Sequence, residues 1–267
     1  VDLQLKGRRA LVSGSSAGIG VAIAHHLAAE GAAVVVHGRD VERTERVAQQ
    51  IRDTGAEVAV AIGDLTTEEG AGSVAASAVA AFGGIDILVN NAGGAHEGAA
   101  SWFDTPIDAI LASYESNTVA AIRLIRSLAP AMKERGWGRI VNIATAAAVT
   151  PTSGQPDYGP SKAAMINMSL GLSKALRSSG VTSNCVSPGM VRTQGLNTYL
   201  TEFADQRGLD SVAEAESVML KGIGQTVGRV GEVDDIAYMV TMLASPRSDF
   251  VNGTNVHVDG GISPSVN

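Results

Sequence analysis

The chain has 267 residues, of which 45% are hydrophobic and 18% charged, enough apolar material for a sizeable core and too much for a disordered polypeptide. A formal charge of −7 and a pI near 5.2 argue against nucleic acid or an anionic membrane as the main partner, because both demand concentrated basic surface. The single Cys185 cannot form an intramolecular disulfide, residues 1–12 lack the marks of a signal peptide, and no uncharged run is apolar enough to span a bilayer, so a cytoplasmic protein is expected.

Short β-branched runs alternate with longer helical patterns from the start. The first strand is expected at residues 10–12, followed by Ser13-Gly14-Ser15-Ser16-Ala17-Gly18-Ile19-Gly20 and a helix over 19–30. Glycines at these places permit a tight turn and close backbone approach, and the helix N-terminus offers unpaired N–H groups to a pyrophosphate. Gly14, Ser16, Gly18, Ile19 and Gly20 are therefore candidate cofactor-binding residues.

The second strand, 34–36, runs into His37-Gly38-Arg39-Asp40. A carboxylate at the end of this strand usually binds the ribose 2′-hydroxyl of NAD. Here Gly38 stands in its place and Arg39 follows, a guanidinium able to pair with a 2′-phosphate. NADP(H) is the expected cofactor, with NAD(H) as the alternative because Asp40 lies next in the chain.

Further strands are expected at 58–62, 85–89, 140–143, 183–186 and 255–258, with a helix over 41–54. Strands alternating with helices indicate βαβ units, and continuously apolar strands fit a parallel sheet covered on both faces. The expectation is an α/β fold, a Rossmann-type doubly wound parallel sheet of about seven strands. No linker, repeat or low-complexity tract divides residues 1–267, so a single domain is expected. The weakly patterned stretch 190–228, with helical pieces at 202–206 and 211–219, reads as a substrate lid.

Tyr158-Gly159-Pro160-Ser161-Lys162 places a phenol and an ammonium four residues apart at the start of a helical segment, on one helix face. A tyrosine titrates near about 10 in water, and roughly 4 kcal/mol of preferential phenolate stabilisation would bring it to neutrality. A neighbouring cation acts in that direction. Tyr158 and Lys162 are candidate catalytic residues.

Taken together, these motifs resemble the short-chain dehydrogenase/reductase family over nearly the whole chain, from Leu5 to Gly261. The likeness rests on the glycine loop, Asp64-Leu65, Asn90-Asn91-Ala92-Gly93, Asn117, the Tyr158 to Lys162 motif, and Pro188-Gly189-Met190-Val191-Arg192-Thr193, all in family order. The resemblance implies that Asp64 bonds the adenine amino group with Leu65 packed nearby, although Asp64-Leu65-Thr66 also reads as a helix-cap turn. It implies that Asn91, Ala92 and Gly93 line the cofactor's ribose, and that Pro188, Gly189, Val191 and Thr193 contribute the loop over the nicotinamide. Tyr158 would be the acid/base, Lys162 would hold the ribose hydroxyls and lower the tyrosine pKa, and Asn117 would anchor a relay water. Nothing in the pattern requires a metal.

One position departs from the family. Its usual serine, thirteen residues before the tyrosine, is Thr145 here, which keeps the hydroxyl but adds a methyl group that stiffens χ1. Ser153 is the other hydroxyl able to approach a substrate. The resemblance implies hydride transfer between a nicotinamide cofactor and a small-molecule carbonyl or alcohol, with general likeness to 3-oxoacyl-(acyl carrier protein) reductase-like and glucose-dehydrogenase-like members. Two alternatives are a cofactor-binding sensor or structural protein without turnover, and a lyase or epimerase using the same site. The loop 94–103 and the stretch 190–228 hold substrate specificity, with Trp102, Phe103, Tyr199 and Phe203 as candidate pocket aromatics. A homotetramer is also implied, with apolar stretches around 122–132 and 165–176 pairing across two-fold axes.

Overall fold

Seven short runs rich in Val, Ile, Leu and Ala pair into one parallel sheet in the computed structural model, which describes residues 1–95, 101–151 and 154–263. The strands are β1 (Arg9–Val12), β2 (Ala33–Gly38), β3 (Val58–Ile62), β4 (Ile87–Asn90), β5 (Gly138–Ile143), β6 (Val181–Pro188) and β7 (Asn255–Val258), in the order β3-β2-β1-β4-β5-β6-β7. Around the sheet lie α1 (Gly18–Ala29), α2 (Val41–Arg52), α3 (Glu68–Phe82), α4 (Ile107–Tyr114), α5 (Ala120–Glu134), α6 (Tyr158–Ala175), α7 (Gln194–Arg207), α8 (Val212–Gly222) and α9 (Val233–Ala244). This is the doubly wound architecture expected from the alternating pattern.

The continuous apolar character of the strands follows from burial on both faces. Ala10, Val12, Val34, Val36, Ile87 and Val89 point into a core shared with α1, α2 and α9. Their neighbours Leu11, Val35, Leu88 and Ile140 point the other way, into a core shared with α3 and α5. Successive side chains of a strand face opposite sides, so a sheet covered twice needs apolar residues at every position. The chain direction across the sheet reverses between β1 and β4, which opens a crevice at their carboxyl ends.

Helix α6 is docked differently. Its buried residues include Ser161, Lys162, Ser169 and Ser173 rather than a leucine stripe. A polar ladder joins it to the sheet: Asn90 Nδ2 donates to Asn142 Oδ1 at 2.8 Å, Asn142 Nδ2 donates to Ser169 Oγ at 3.1 Å, and Ser169 and Ser183 hydroxyls meet at 2.9 Å. Such bonds are directional, and they fix the helix in rotation as well as in distance.

Helices α7 and α8 replace the irregular stretch expected between 190 and 228. They share a small cluster in which Leu200, Ala204 and Ala215 are buried against Leu196, Phe203, Leu209 and Met219. Arg192 ties this pair down, its Nη2 donating to Glu216 on α8 at 2.8 Å and its Nε to Glu232 before α9 at 3.1 Å. No helix among the described residues is long and apolar enough to cross a membrane.

Candidate active site

The backbone after β1 folds back on the segment after β4. Gly14 has φ +64°, in the left-handed region, and a Cβ on it would stand 2.8 Å from Ala92 Cα. Asn91 Nδ2 donates to the Ser13 and Gly14 carbonyls at 3.0 and 3.1 Å, while Ser13 Oγ accepts from the Asn91 and Ala92 N–H groups at 3.0 Å. Helix α1 opens directly from this loop. Its N-cap position is Ala17, with no side-chain cap and no acidic residue in the first turn. By contrast α2, α3, α7 and α8 are capped by Asp40, Thr67, Thr193 and Ser211. The first-turn N–H groups of α1 therefore keep their donors for an anion, which fits the phosphates of a dinucleotide.

At the end of β2 a side chain in place of Gly38 would collide with Thr44 Oγ1 and with Ser16 Oγ, the latter 2.6 Å from the Cβ position. A carboxylate cannot be accommodated there without moving Ser16. Arg39 is exposed and makes no hydrogen bond or ion pair among the described residues. Asp40 is engaged elsewhere, accepting from Arg43 N at 2.9 Å as the cap of α2. Asp64 performs the turn role, its Oδ1 accepting from Thr66 N at 3.0 Å and Thr66 Oγ1 at 2.8 Å. Those two bonds hold its carboxyl below the usual aspartate range. Leu65 is buried beneath it.

Tyr158 opens α6 and Lys162 follows one turn later. The lysine is 2% exposed, with Nζ donating to Ile143 O at 2.7 Å, and burial lowers its pKa to about 8. Burial pushes the Tyr158 phenol up, opposed by a hydrogen bond with the Thr145 side chain. The expected depression of the tyrosine by Lys162 is thus not delivered by the fold, because burial disfavours the phenolate while the ammonium bonds a backbone carbonyl. Thr145, just past β5, also accepts from Ala147 N at 3.3 Å. Ser153 lies outside the described residues, as do 96–100 of the 94–103 loop.

A cleft of about 680 Å³ brings Tyr158, Lys162 and Thr145 together with Gly14, Gly18, Ile19, Asn91, Ala92 and Gly93. Pro188, Gly189, Val191 and Thr193 close its other side, joined by Gln194 and Thr198, which the sequence reading had not singled out. Ser16, Gly20, Arg39, Asp64 and Leu65 are not among its lining residues and follow the carboxyl ends of β1 to β3. A wider groove of about 1780 Å³ past Lys6, Gly31 and Tyr238 gathers none of these side chains. The four candidate aromatics do not line the cleft: Phe203 packs between α7 and α8, and Trp102, Phe103 and Tyr199 are exposed.

Asn117 sits in a π-helical turn, Glu115–Val119, between α4 and α5. Such insertions redirect one residue from a helix face, often at functional sites. Its side chain is fully buried: Oδ1 accepts from Gly94 N at 2.9 Å, and Nδ2 lies 3.1 Å from Gly94 O and 3.2 Å from Ser161 Oγ. Ser161 Oγ in turn donates to Tyr158 O at 2.8 Å. Asn117 therefore ties the segment after β4 to the first turn of the tyrosine helix.

The buried ammonium gives a test by linkage. Folded Lys162 loses its proton near pH 8, whereas in the unfolded chain it keeps it to about 10.5, so between those values the unfolded state binds more protons and stability rises with pH. In denaturant titrations the stability of the wild type relative to Lys162→Met is expected to increase from pH 7.5 to 9.5. A difference that stays flat or falls over that window would contradict the buried charge.

The family model described as Enoyl-(Acyl carrier protein) reductase matches residues 14–263. The uncharacterized oxidoreductase YvaG of Bacillus subtilis (strain 168) is 36% identical over 270 residues, spanning 100% of both proteins. L-sorbose reductase from Gluconobacter frateurii, solved with NADPH and L-sorbose, superposes with a TM-score of 0.94 at 31% identity over 100% of both chains. A 7α-hydroxysteroid dehydrogenase, solved with NADH and 7-oxo glycochenodeoxycholic acid, gives 0.86 at 29% identity over 100% of this chain and 98% of that one.

Proposed function

Since the chain belongs to the short-chain dehydrogenase/reductase family, and is an oxidoreductase acting between CH–OH and C=O groups, we propose that Tyr158 is its acid/base and that the cleft beside it holds the nicotinamide cofactor. The observation that carries this is the meeting of Tyr158, Lys162 and Thr145 with the left-handed glycines of the β1–α1 loop in one cleft. The nicotinamide supplies or accepts the hydride. The chain's own groups manage the oxygen: Tyr158 gives its proton to the carbonyl oxygen in reduction and takes it back in oxidation. Burial keeps that proton on the phenol, which suits an acid. Thr145 donates to the same oxygen and stabilises its developing charge. Lys162, held at Ile143 O, would bond the cofactor's ribose hydroxyls, and Asn117 steadies the first turn of α6.

The first-turn N–H groups of α1 receive the pyrophosphate, with Gly14, Ser16, Gly18, Ile19 and Gly20 shaping the turn. Asn91, Ala92, Gly93, Pro188, Gly189, Val191 and Thr193 flank the nicotinamide half, and Asp64 and Leu65 the adenine. NADP(H) is the preferred cofactor and NAD(H) the alternative. Arg39, exposed and without a hydrogen bond or ion pair among the described residues, the absent carboxylate at Gly38 and the engagement of Asp40 support that order, as does the NADPH bound to the sorbose reductase. Residues 190–228 act as the lid, latched through Arg192 to Glu232 before α9.

The assembly is a homotetramer in the cytoplasm. Its support has shifted on one of the two expected stretches: within 122–132, Leu124, Ile125, Leu128 and Met132 of α5 are spent on the chain's own core. Ile107 and Leu111 of α4, Leu170 of α6, Tyr238 of α9 and Phe250 stay exposed and are the apolar positions offered to two-fold contacts.

Two substitutions at Thr145 test the chemistry in NADPH-dependent reduction of a panel of ketones. Thr145→Ser is expected to preserve or raise activity, whereas the nearly isosteric Thr145→Val lowers kcat/KM by roughly ten- to a thousand-fold. A valine variant as active as wild type would make the hydroxyl idle, and a wild type that oxidises NADPH with no carbonyl compound would overturn the reading. Separately, Arg39→Ala should weaken NADPH binding by about ten- to a hundred-fold and leave NADH nearly unchanged in a fluorescence titration. Equal losses for the two would show that Arg39 does not read the phosphate.

A further inference from the structure

His37 is the next-to-last residue of β2 and only 3% exposed, and nothing in the chemistry above uses it. Its N–H donates to Ser15 Oγ at 2.9 Å and its carbonyl accepts from Ser15 N at 2.9 Å, so its backbone is clasped to the glycine loop. The ring reaches two more segments. Nδ1 lies 2.9 Å from Gly14 N, and Nε2 lies 3.1 Å from Gly63 O in the turn that leads to Asp64. Each contact fixes a proton: an amide N–H can only donate, so Nδ1 is bare, and a carbonyl can only accept, so Nε2 carries the hydrogen.

We propose that His37, as its neutral Nε2–H tautomer, is the positioning residue that holds Gly14 in the shape that receives the dinucleotide, a role resting on the reading of the cleft as the cofactor site. Gly14 is the left-handed residue at which the chain turns toward Ala92, and its N–H has the imidazole as its acceptor. Protonating Nδ1 would set two donors against each other and release the loop. Burial is the largest influence on the ring and keeps its pKa below the ordinary histidine value; the Gly63 bond opposes it, Arg39 from the end of β2 adds to it, and Asp64 from the β3–α3 turn opposes it. The neutral clamp accordingly persists through physiological pH, and dinucleotide affinity falls only as pH drops below the usual histidine range.

Asn and Leu at position 37 separate the acceptor from the shape. Asparagine can place its amide oxygen where Nδ1 stands and so keep the partner of Gly14, while leucine has nearly the same form with no acceptor. Fluorescence titrations with NADPH and with NADH are expected to show His37→Asn within about threefold of wild type, and His37→Leu weaker by roughly tenfold or more for both dinucleotides alike. The loss should fall on the cofactor KM rather than on kcat. A leucine variant that binds as tightly as wild type, or an asparagine variant as weak as leucine, would overturn the role. Nitrogen-15 NMR of the wild-type ring gives a measurement independent of whether the leucine variant folds: the neutral Nε2–H form at pH 7 supports the clamp, and a proton on Nδ1 overturns it. A wild type that binds neither dinucleotide would bring down the cleft reading together with this role. Tight wild-type binding with an indifferent leucine variant removes only the part assigned to His37.

Discussion

An eight-residue stretch of backbone, 13–20, is held open by hydrogen bonds from other parts of the sheet, and the arrangement of the site depends on it. Asn91 pulls its carbonyls toward β4, and Ser13 returns two bonds to the same segment. His37 grips it from β2. With Ala17 at its N-cap position, α1 spends no side chain on capping its own first turn. Side chains thus satisfy the loop while the donors that face the crevice stay available, which is the condition for binding an anion at a helix terminus. The α/β topology supplies the crevice, and these few polar side chains decide what it can hold.

The catalytic half depends on a different interaction, the polar docking of α6. A leucine-faced helix could slide or roll by a fraction of a turn at little cost. The Asn142–Ser169–Ser183 ladder and the Lys162–Ile143 bond allow no such freedom. Asn117 and Ser161 lock the first turn from the other side. Together they bring a buried ammonium and a buried phenol to one cleft, an arrangement that opposes stability and suits the proposed proton transfer. Desolvation disfavours both charged forms, so Lys162 gives up its proton near pH 8 and Tyr158 keeps its own.

Much of this was legible in the sequence because it rests on local patterns. Strand positions followed from apolar runs such as Val34-Val35-Val36, the loop from the spacing of Gly14, Gly18 and Gly20, and the proposed acid/base pair from Tyr158 and Lys162 one helical turn apart. What escaped depends on contacts distant in the chain. The direction of the tyrosine shift turns on how deeply α6 is docked. The partner of Lys162 is a carbonyl nineteen residues away. His37 follows directly on the valine run, and the partners of its ring, Gly14 and Gly63, lie in two other loops. Helices α7 and α8 were blurred because few of their residues are buried, so their apolar period is weak. The stretch 122–132 was read as interface because its apolar residues are countable, whereas the side they face depends on the placement of α3 and the sheet.

The central claim is that one oxygen, the Tyr158 phenol, carries the proton in a cleft whose cofactor site is independently formed. Tyr158→Phe removes that oxygen and little else. The account predicts that NADPH affinity, read by fluorescence titration, stays within about threefold of wild type while turnover with a reducible ketone falls by roughly a hundred-fold or more. A phenylalanine variant with wild-type kcat would contradict it.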